Sequence, residues 1–513
     1  MIEHAVEVAV VGAGFGGSLT SMILDHIGLS VVLIDQGTHP RFAIGESSTP
    51  IADMLLRDLA QEYDLPRLAE LSSYGSWRRA YPEVACGLKR GFSYFHQEKY
   101  QPFQPTADHV GEMLVAASAN DDVGDTHWYR PDVDAFFAGE VAAAGIPFLD
   151  STQLTNIVEE NDGRWLLEGE RNGETIRIRA AFIIDATGAG GLLRQHLQLP
   201  DETSQLETRS RAIYGHFCNV PRFSDRLQAA GGNVSDHPFD CDAAAVHHLL
   251  DGAWMWMLRF DNGITSVGLV LDERRFPLDD SVSVEEEWSE WMSRYPELAV
   301  LLHDVRMAKV PARLIRTSRL QRLSAQAAGQ NWASLPHTVG FIDPLHSTGI
   351  AHALSAIERL ADIIRAHSQQ RRLDVSPAFG AALQEYDVQL RGELKLVDQL
   401  VAGCYRTLED FRLFAAFSML YFAAATTHER CRVESRAEKR QGFLCADDAR
   451  FRNIVRDVTD CIPAGDVTSP EVVAQFEATV AKAIEPYNRV GLCDAAVHNM
   501  YRHTAAPSGS GSP

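Results

Sequence analysis

The chain has 513 residues, 45% of them apolar and 23% charged, with a formal charge of 47 − 69 = −22. Those proportions exclude a mainly disordered or collagen-like chain. An acidic surface of this size repels phosphate backbones and anionic lipid, so neither nucleic acid nor a membrane surface is an expected partner.

Val6–Val11 is an apolar run ending in glycines, the pattern of a buried parallel strand. An amphipathic stretch through Leu24 follows, then a second apolar run, Val31–Asp35, completing a β-α-β unit. Between strand and helix, Gly12-Ala13-Gly14-Phe15-Gly16-Gly17 fits GxGxxG. Gly12 permits the tight turn, Gly14 lets backbone approach a pyrophosphate, and Gly17 lets helix and strand pack closely. The helix N-terminus offers N–H groups and a positive dipole end to phosphates, and Asp35 is placed to accept hydrogen bonds from a ribose.

Leu154–Ile157, Trp165–Glu168, Thr175–Ile178 and Ala181–Asp185 read as short strands. Strand-like segments dominate from about 206 to 310, including Ala253–Phe260 and Ile264–Leu271. Gly349–His367 has helical spacing, and beyond about 375 the pattern is almost wholly helical. Aromatics grouped at 405–422 read as core before substrate wall. Leu413–Ala425 is too short for a bilayer, and Ser508–Pro513 reads as a disordered tail. The eight cysteines form no CxxC pair and read as reduced thiols of a cytoplasmic protein without a signal peptide. His247 and His248 are adjacent, without partners at metal spacing, so no metal is expected.

Two further segments separate flavin from nicotinamide. Pro40-Arg41-Phe42-Ala43-Ile44-Gly45-Glu46-Ser47 and Ile183-Ile184-Asp185-Ala186-Thr187-Gly188 resemble the FAD-binding family of monooxygenases and halogenases. The first has the form it takes in flavin-dependent halogenases. Gly340-Phe341-Ile342-Asp343-Pro344-Leu345-His346-Ser347-Thr348-Gly349 resembles the halogenase DPxxSxG turn, and Cys86–Tyr94 the segment that carries the catalytic lysine. Ala253-Trp254-Met255-Trp256-Met257-Leu258-Arg259 resembles the WxWxIP region, with Leu-Arg in place of Ile-Pro. The helical C-terminal region looks most like the phenol-halogenase branch acting on phloroglucinol.

The resemblance implies an α/β fold, with a Rossmann-like FAD-binding domain of the monooxygenase/halogenase type formed by 1–205 and 311–370. It also implies a β-rich substrate insertion (206–310), a helical C-terminal subdomain (371–505) and a disordered tail (506–513). FAD would be held by Gly12, Gly14, Gly17, Asp35, Arg41, Gly45, Glu46, Ser47, Arg130 and Asp343. Amides of Thr348 and Gly349 would hold chloride or bromide, and Trp254 and Trp256 would bar substrate from the flavin. In such enzymes FAD, reduced by a separate flavin reductase, turns halide and oxygen into hypohalous acid, and a lysine delivers the halogen to a small aromatic, here expected to be phenolic. His346 stands where tryptophan halogenases carry a glutamate, which argues against tryptophan and leaves no obvious carboxylate base.

Lysine usage points the same way. The chain has 41 Arg and only 6 Lys. A retained Lys suits a role needing a compact amine that can lose its proton, which guanidinium cannot do. Lys89 is the one in the matching segment. An FAD-dependent aromatic hydroxylase and a non-catalytic flavin-binding protein are the alternatives on the same scaffold.

Overall fold

The opening β-α-β unit comprises strand Ile2–Val11, helix Phe15–His26 and strand Val31–Ile34 in a computed structural model. It describes residues 2–434, 442–463 and 469–502, so the 508–513 tail lies outside the described residues. Ile2–Val11 pairs in parallel with Val31–Ile34 on one side and with Glu174–Asp185 on the other. The register sets Val11 opposite Asp185, so the Gly12 turn and the Ala186-Thr187-Gly188 turn leave the sheet side by side. Gly12 has φ 107°, and a Cβ there would be driven into the Ala186 carbonyl. The close approach and the positive φ both require glycine.

One strand replaces the two expected within 175–185: Glu174–Asp185 runs unbroken for 12 residues. Its first half pairs antiparallel with Trp165–Arg171 at the surface, where Arg177 and Arg179 meet Glu168 and Glu160. Its last residues are buried and pair in parallel with Trp332–Ser334. A change of neighbours along one strand changes the hydrophobic pattern without a break in the backbone.

A second sheet of 9 strands is centred on Ser210–Cys218, Ile264–Asp272, Ala253–Arg259 and Ala245–Leu250. Gly91–His96, Glu112–Ala116 and Met500–Tyr501 extend it from outside the 206–310 span. That span also holds helices Phe223–Ala229, Val284–Arg294 and Pro296–Leu301. Ser283 and Glu286 close a capping box on the second of these, which buries Trp288, Trp291 and Met292. A short ribbon pairs Cys86–Lys89 with Asp125–Trp128 and sets Lys89 opposite Asp125.

Helices Gly349–Ala366, Pro377–Thr407 and Phe411–Glu434 pack onto one continuous apolar core with the first sheet. Among the described residues, no helix is long and apolar enough to cross a membrane. All eight cysteines are free thiols.

Glu393 joins these helices. It is 0% exposed and accepts from His352 Nε2 at 3.0 Å, Arg359 Nη2 at 2.6 Å and the Phe443 amide at 2.8 Å. Burial alone would raise its carboxyl, but Arg359 and His352 outweigh it and hold it down to about 2. Glu393→Gln leaves a buried guanidinium without its counter-charge, so stability near neutral pH should fall by about 3–5 kcal/mol in urea titration. A depressed folded pKa stabilises fully above the unfolded value of 4.5 and is lost as pH falls towards about 2. The variant's stability should therefore depend less on pH over that window than the parent's.

Candidate active site

The GxGxxG turn opens onto a cavity of about 1060 Å³. Gly12, Gly14 and Gly17 line one part of it with Asp35, Arg41, Gly45, Glu46, Ser47 and Arg130. Asp343, Thr348, Gly349, Trp254 and Trp256 line the rest. Residues spread over more than 300 positions of the chain therefore meet at one space: the Gly12 and Ala186 turns leave adjacent parallel strand ends together, and the Ser347 turn lines the same cavity.

Asp35 is differently engaged from the expectation that it waits for a ribose. Its Oδ2 accepts from the Ala13 amide at 2.6 Å and Arg41 Nη2 at 2.7 Å; its Oδ1 accepts from the Gly37 amide at 2.8 Å and Arg41 Nη1 at 2.5 Å. Four donors fill the four lone-pair sites of a carboxylate. Burial pushes Asp35 up, but the Arg41 bonds and the two amides more than offset it and hold the carboxyl below its usual range. Ribose contact through Asp35 requires Arg41 to release it.

Arg130 is similarly committed. It forms a fork on Asp134, Nε to Oδ1 at 3.0 Å and Nη2 to Oδ2 at 2.8 Å, while Nη1 donates to the Ile44 and Gly45 carbonyls at 2.9 and 3.1 Å. Asp134 Oδ1 also accepts the Phe15 amide at 3.2 Å. Arg130 thus fixes the 41–47 loop against the start of the Phe15 helix. In that loop Glu46 Oε1 meets His216 Nε2 at 2.7 Å, whereas Glu46 Oε2 and Ser47 Oγ are buried without a hydrogen-bond partner. Unpaired polar atoms of this kind are the groups a polar cofactor satisfies.

Thr348 and Gly349 begin an 18-residue helix with no carboxylate in its first turn. Its N–H groups and positive dipole end face the cavity, a setting suited to an anion. Asp343 lines the cavity too, but Oδ2 accepts from Ser210 Oγ at 2.6 Å and Tyr405 Oη at 2.9 Å, and Oδ1 from the Leu345 amide at 3.1 Å. Burial raises its carboxyl to about 6. Its side chain is engaged by the turn and by its neighbours.

Trp254 and Trp256 stand on one strand with ring centroids 6.0 Å apart. Trp254 Nε1 donates to Tyr405 Oη at 3.0 Å, and Trp256 Nε1 to Ser266 Oγ at 3.1 Å. Leu258 continues the wall, and Arg259 turns away to Asp242 and the Val220 carbonyl, so the wall needs no proline.

Lys89 does not line this cavity. It is 0% exposed behind it. Its Nζ donates to the Ser48 carbonyl at 2.5 Å and lies 4.1 Å from the Phe92 ring centroid. His247 stands between: it lines the cavity, stacks on Tyr94 at 4.6 Å, and is pushed down to about 3 by burial and by the Lys89 charge. Phe92 borders a second, small void with Thr49, Tyr421 and Phe422.

Burial lowers Lys89 to about 8 against the pull of Asp125 and then Asp53. Burial likewise raises Asp125 to about 7 and Asp53 well above its usual range. Asp125 Oδ2 has no hydrogen-bond partner. The carboxylate lacking at position 346 is thus replaced by charges that act on the amine from the Asp125–Trp128 strand and the Pro50–Glu62 helix. Sequence reasoning missed both; the only available signal was that a buried lysine needs a counter-charge. It also missed Tyr94, whose buried Oη is unpaired. His346 lies flat on Tyr421 at 4.3 Å with Nε2 3.5 Å from Cys404 Sγ and Nδ1 unpaired. Tyr405, Phe414 and Tyr421 pack with the apolar core and against Trp254, Tyr94 and His346 respectively.

A family model described as FAD dependent oxidoreductase matches residues 7–256. Monodechloroaminopyrrolnitrin halogenase PrnC of Pseudomonas fluorescens is 29% identical over 92% of this chain and 84% of its own. Tetracycline 7-halogenase of Kitasatospora aureofaciens is 28% identical over 82% and 74%. The solved structure of halogenase PltM in complex with phloroglucinol and FAD superposes with a TM-score of 0.82 at 23% identity, over 96% of this chain and 98% of that one.

A Cβ at Gly14 would meet nothing nearer than Arg130 Nη2 at 3.8 Å and Asp134 at 3.9 Å. Gly14→Val should therefore fold normally while its branched side chain obstructs the dinucleotide cleft. FAD affinity, read by fluorescence titration, should fall at least about tenfold, a cost of about 1.4 kcal/mol. Circular dichroism and melting temperature should stay close to those of the parent.

Proposed function

We propose that this chain, similar in sequence to flavin-dependent halogenases, is one of them and halogenates a small phenolic aromatic through hypohalous acid and the amine of Lys89. Bound reduced FAD, arriving from a separate flavin reductase, supplies the chemistry that oxidises chloride or bromide with oxygen. The fit of FAD rests on the unpaired Glu46 and Ser47 atoms and the Gly12–Gly17 cradle. In this reading residues 1–205 and 311–370 bind FAD, 206–310 supply most of the substrate wall, and 371–505 cover the amine.

The chain's own groups divide the work. Amides of Thr348 and Gly349 hold halide by dipole and hydrogen bond. Trp254 and Trp256 keep the organic substrate from the cofactor and confine the oxidant. The neutral Lys89 amine attacks hypohalous acid, forming an N–halogen bond and releasing water. The electron-rich ring then takes the halogen, its displaced proton leaves, and the amine regains N–H. Asp125 can take and return a proton, because its acid range and that of Lys89 are brought close together. The halogenase PltM structure contains phloroglucinol, which supports a phenol here, as does the aromatic compartment of Tyr94, Phe92 and Tyr421.

The observation that carries this reading is a fully buried lysine whose pKa is lowered beside two carboxylates in a chain that otherwise spends arginine. Lys89→Ala should abolish ring halogenation while monochlorodimedone still traps oxidised halide and FAD affinity is retained. Lys89→Arg should fail equally, since guanidinium keeps charge but does not deprotonate. Normal product from either variant in mass spectrometry would overturn the role.

The reading also fixes a pH dependence. With reduced FAD supplied directly, product formation should rise as pH passes through about 8, where Lys89 loses its proton. Asp125 raises that pKa, so Asp125→Asn should move the rise to lower pH. Initial rates from neutral to alkaline pH give the comparison.

A further inference from the structure

The cavity and the lysine compartment lie on one face of the nine-stranded sheet, with Tyr94 and Met113. On the opposite face, with Phe95 and Leu114, three side chains that bind metals well converge: His109, Glu112 and His237. One ligand atom from each lies within 4.8 Å of the others. Glu112 Oε2 is 3.0 Å from His237 Nε2 and 3.4 Å from His109 Nδ1. A tetrahedral zinc site with bonds of roughly 2.0–2.1 Å has ligand-to-ligand edges of roughly 3.3 Å. The two edges from Glu112 already stand near that spacing, and the edge between the two histidines lies within 4.8 Å.

The second observation is His109 itself. Its residue is 3% exposed, and neither ring nitrogen has a hydrogen-bond partner. A buried imidazole with both nitrogens unpaired forfeits the desolvation of two polar atoms, which a structure tolerates only where something else satisfies them. Nδ1 points at Glu112; Nε2 points at Asp236 Oδ2, 3.7 Å away. A carboxylate behind the free nitrogen of a ligating histidine is the usual way to fix its tautomer and strengthen it as a donor.

We propose that His109, Glu112 and His237 bind one Zn²⁺, with Asp236 orienting His109 and solvent as the fourth ligand. Two imidazoles and one carboxylate match zinc, whereas calcium and magnesium favour all-oxygen sets. Such an ion joins the 97–111 loop to the loop through 231–242. Arg502 Nη2 donates to the Asp236 carbonyl at 3.2 Å, and Met500–Tyr501 pairs with Leu114 and Val115, so the C-terminal strand is tied to the same corner. The expectation of no metal came from sequence spacing, and 125 residues separate Glu112 from His237.

The test is zinc content by inductively coupled plasma mass spectrometry of the full chain after gel filtration, followed by Zn²⁺ titration of EDTA-stripped protein against a fluorescent chelator. One zinc per chain is expected. His109→Ala and Glu112→Gln should each weaken binding by at least about 100-fold, and Asp236→Asn by about 10–100-fold. FAD affinity should be unchanged, reporting intact folding. Zinc that washes off the parent, or that all three variants keep equally, would overturn the site. Should a variant fail to fold, X-ray absorption of the zinc-loaded parent decides: a nitrogen and oxygen shell near about 2.0 Å supports the site, and a sulfur shell near about 2.3 Å contradicts it.

Discussion

A lysine amine removed from water cannot stand alone. Its charge is costly in an apolar interior, so the fold must either surround it with carboxylates or make it shed its proton. This chain does part of each at Lys89. The ribbon register delivers Asp125 directly opposite, the Pro50–Glu62 helix brings Asp53, and the Ser48 carbonyl accepts from Nζ. Burial outweighs the two carboxylates and leaves an amine that can be neutral near physiological pH. Because the three groups come from the ribbon, the helix and the segment that leads into that helix, the position of the amine depends on all of these meeting correctly.

In the proposed mechanism, the arrangement also separates where oxidant arises from where it is used. The Gly12 turn, the 41–47 loop and the Thr348 helix face one large cavity, while Lys89 lies behind His247 and the tryptophan wall. A chain of hydrogen bonds stiffens the partition, from Trp254 to Tyr405 to Asp343 to Ser210. It links the insertion strands, the DPxxSxG-like turn and the Pro377–Thr407 helix. Asp343 therefore serves the geometry of the wall while the neighbouring helix start remains available to an anion.

Local pattern explains what the sequence disclosed. The β-α-β unit and its glycines were legible because strand, turn and helix are contiguous, and Gly12 must pass close to Ala186 whatever the ligand. Lys89 stood out because arginine does the ordinary basic work elsewhere. What stayed hidden was set by pairing between distant segments. Asp125 becomes a partner only through strand register, Glu46 finds His216 across the fold, and Asp35 is filled by Arg41 from a loop with no fixed period. Tyr405 and Tyr421 have helical spacing that fits a core equally well; the fold packs both against the core, with Tyr405 bonded to Asp343 and Tyr421 stacked on His346.

With only 6 lysines, the chain permits each amine to be followed separately. The most direct measurement of the central claim is a pH titration of the full chain labelled with 15N at lysine Nζ, observed by NMR, with the Lys89 signal assigned by its loss in Lys89→Ala. The account expects that one amine to titrate near about 8 while exposed lysines remain near about 10.4. A Lys89 signal titrating with the others would contradict the proposal that a buried, readily neutral amine carries the halogen.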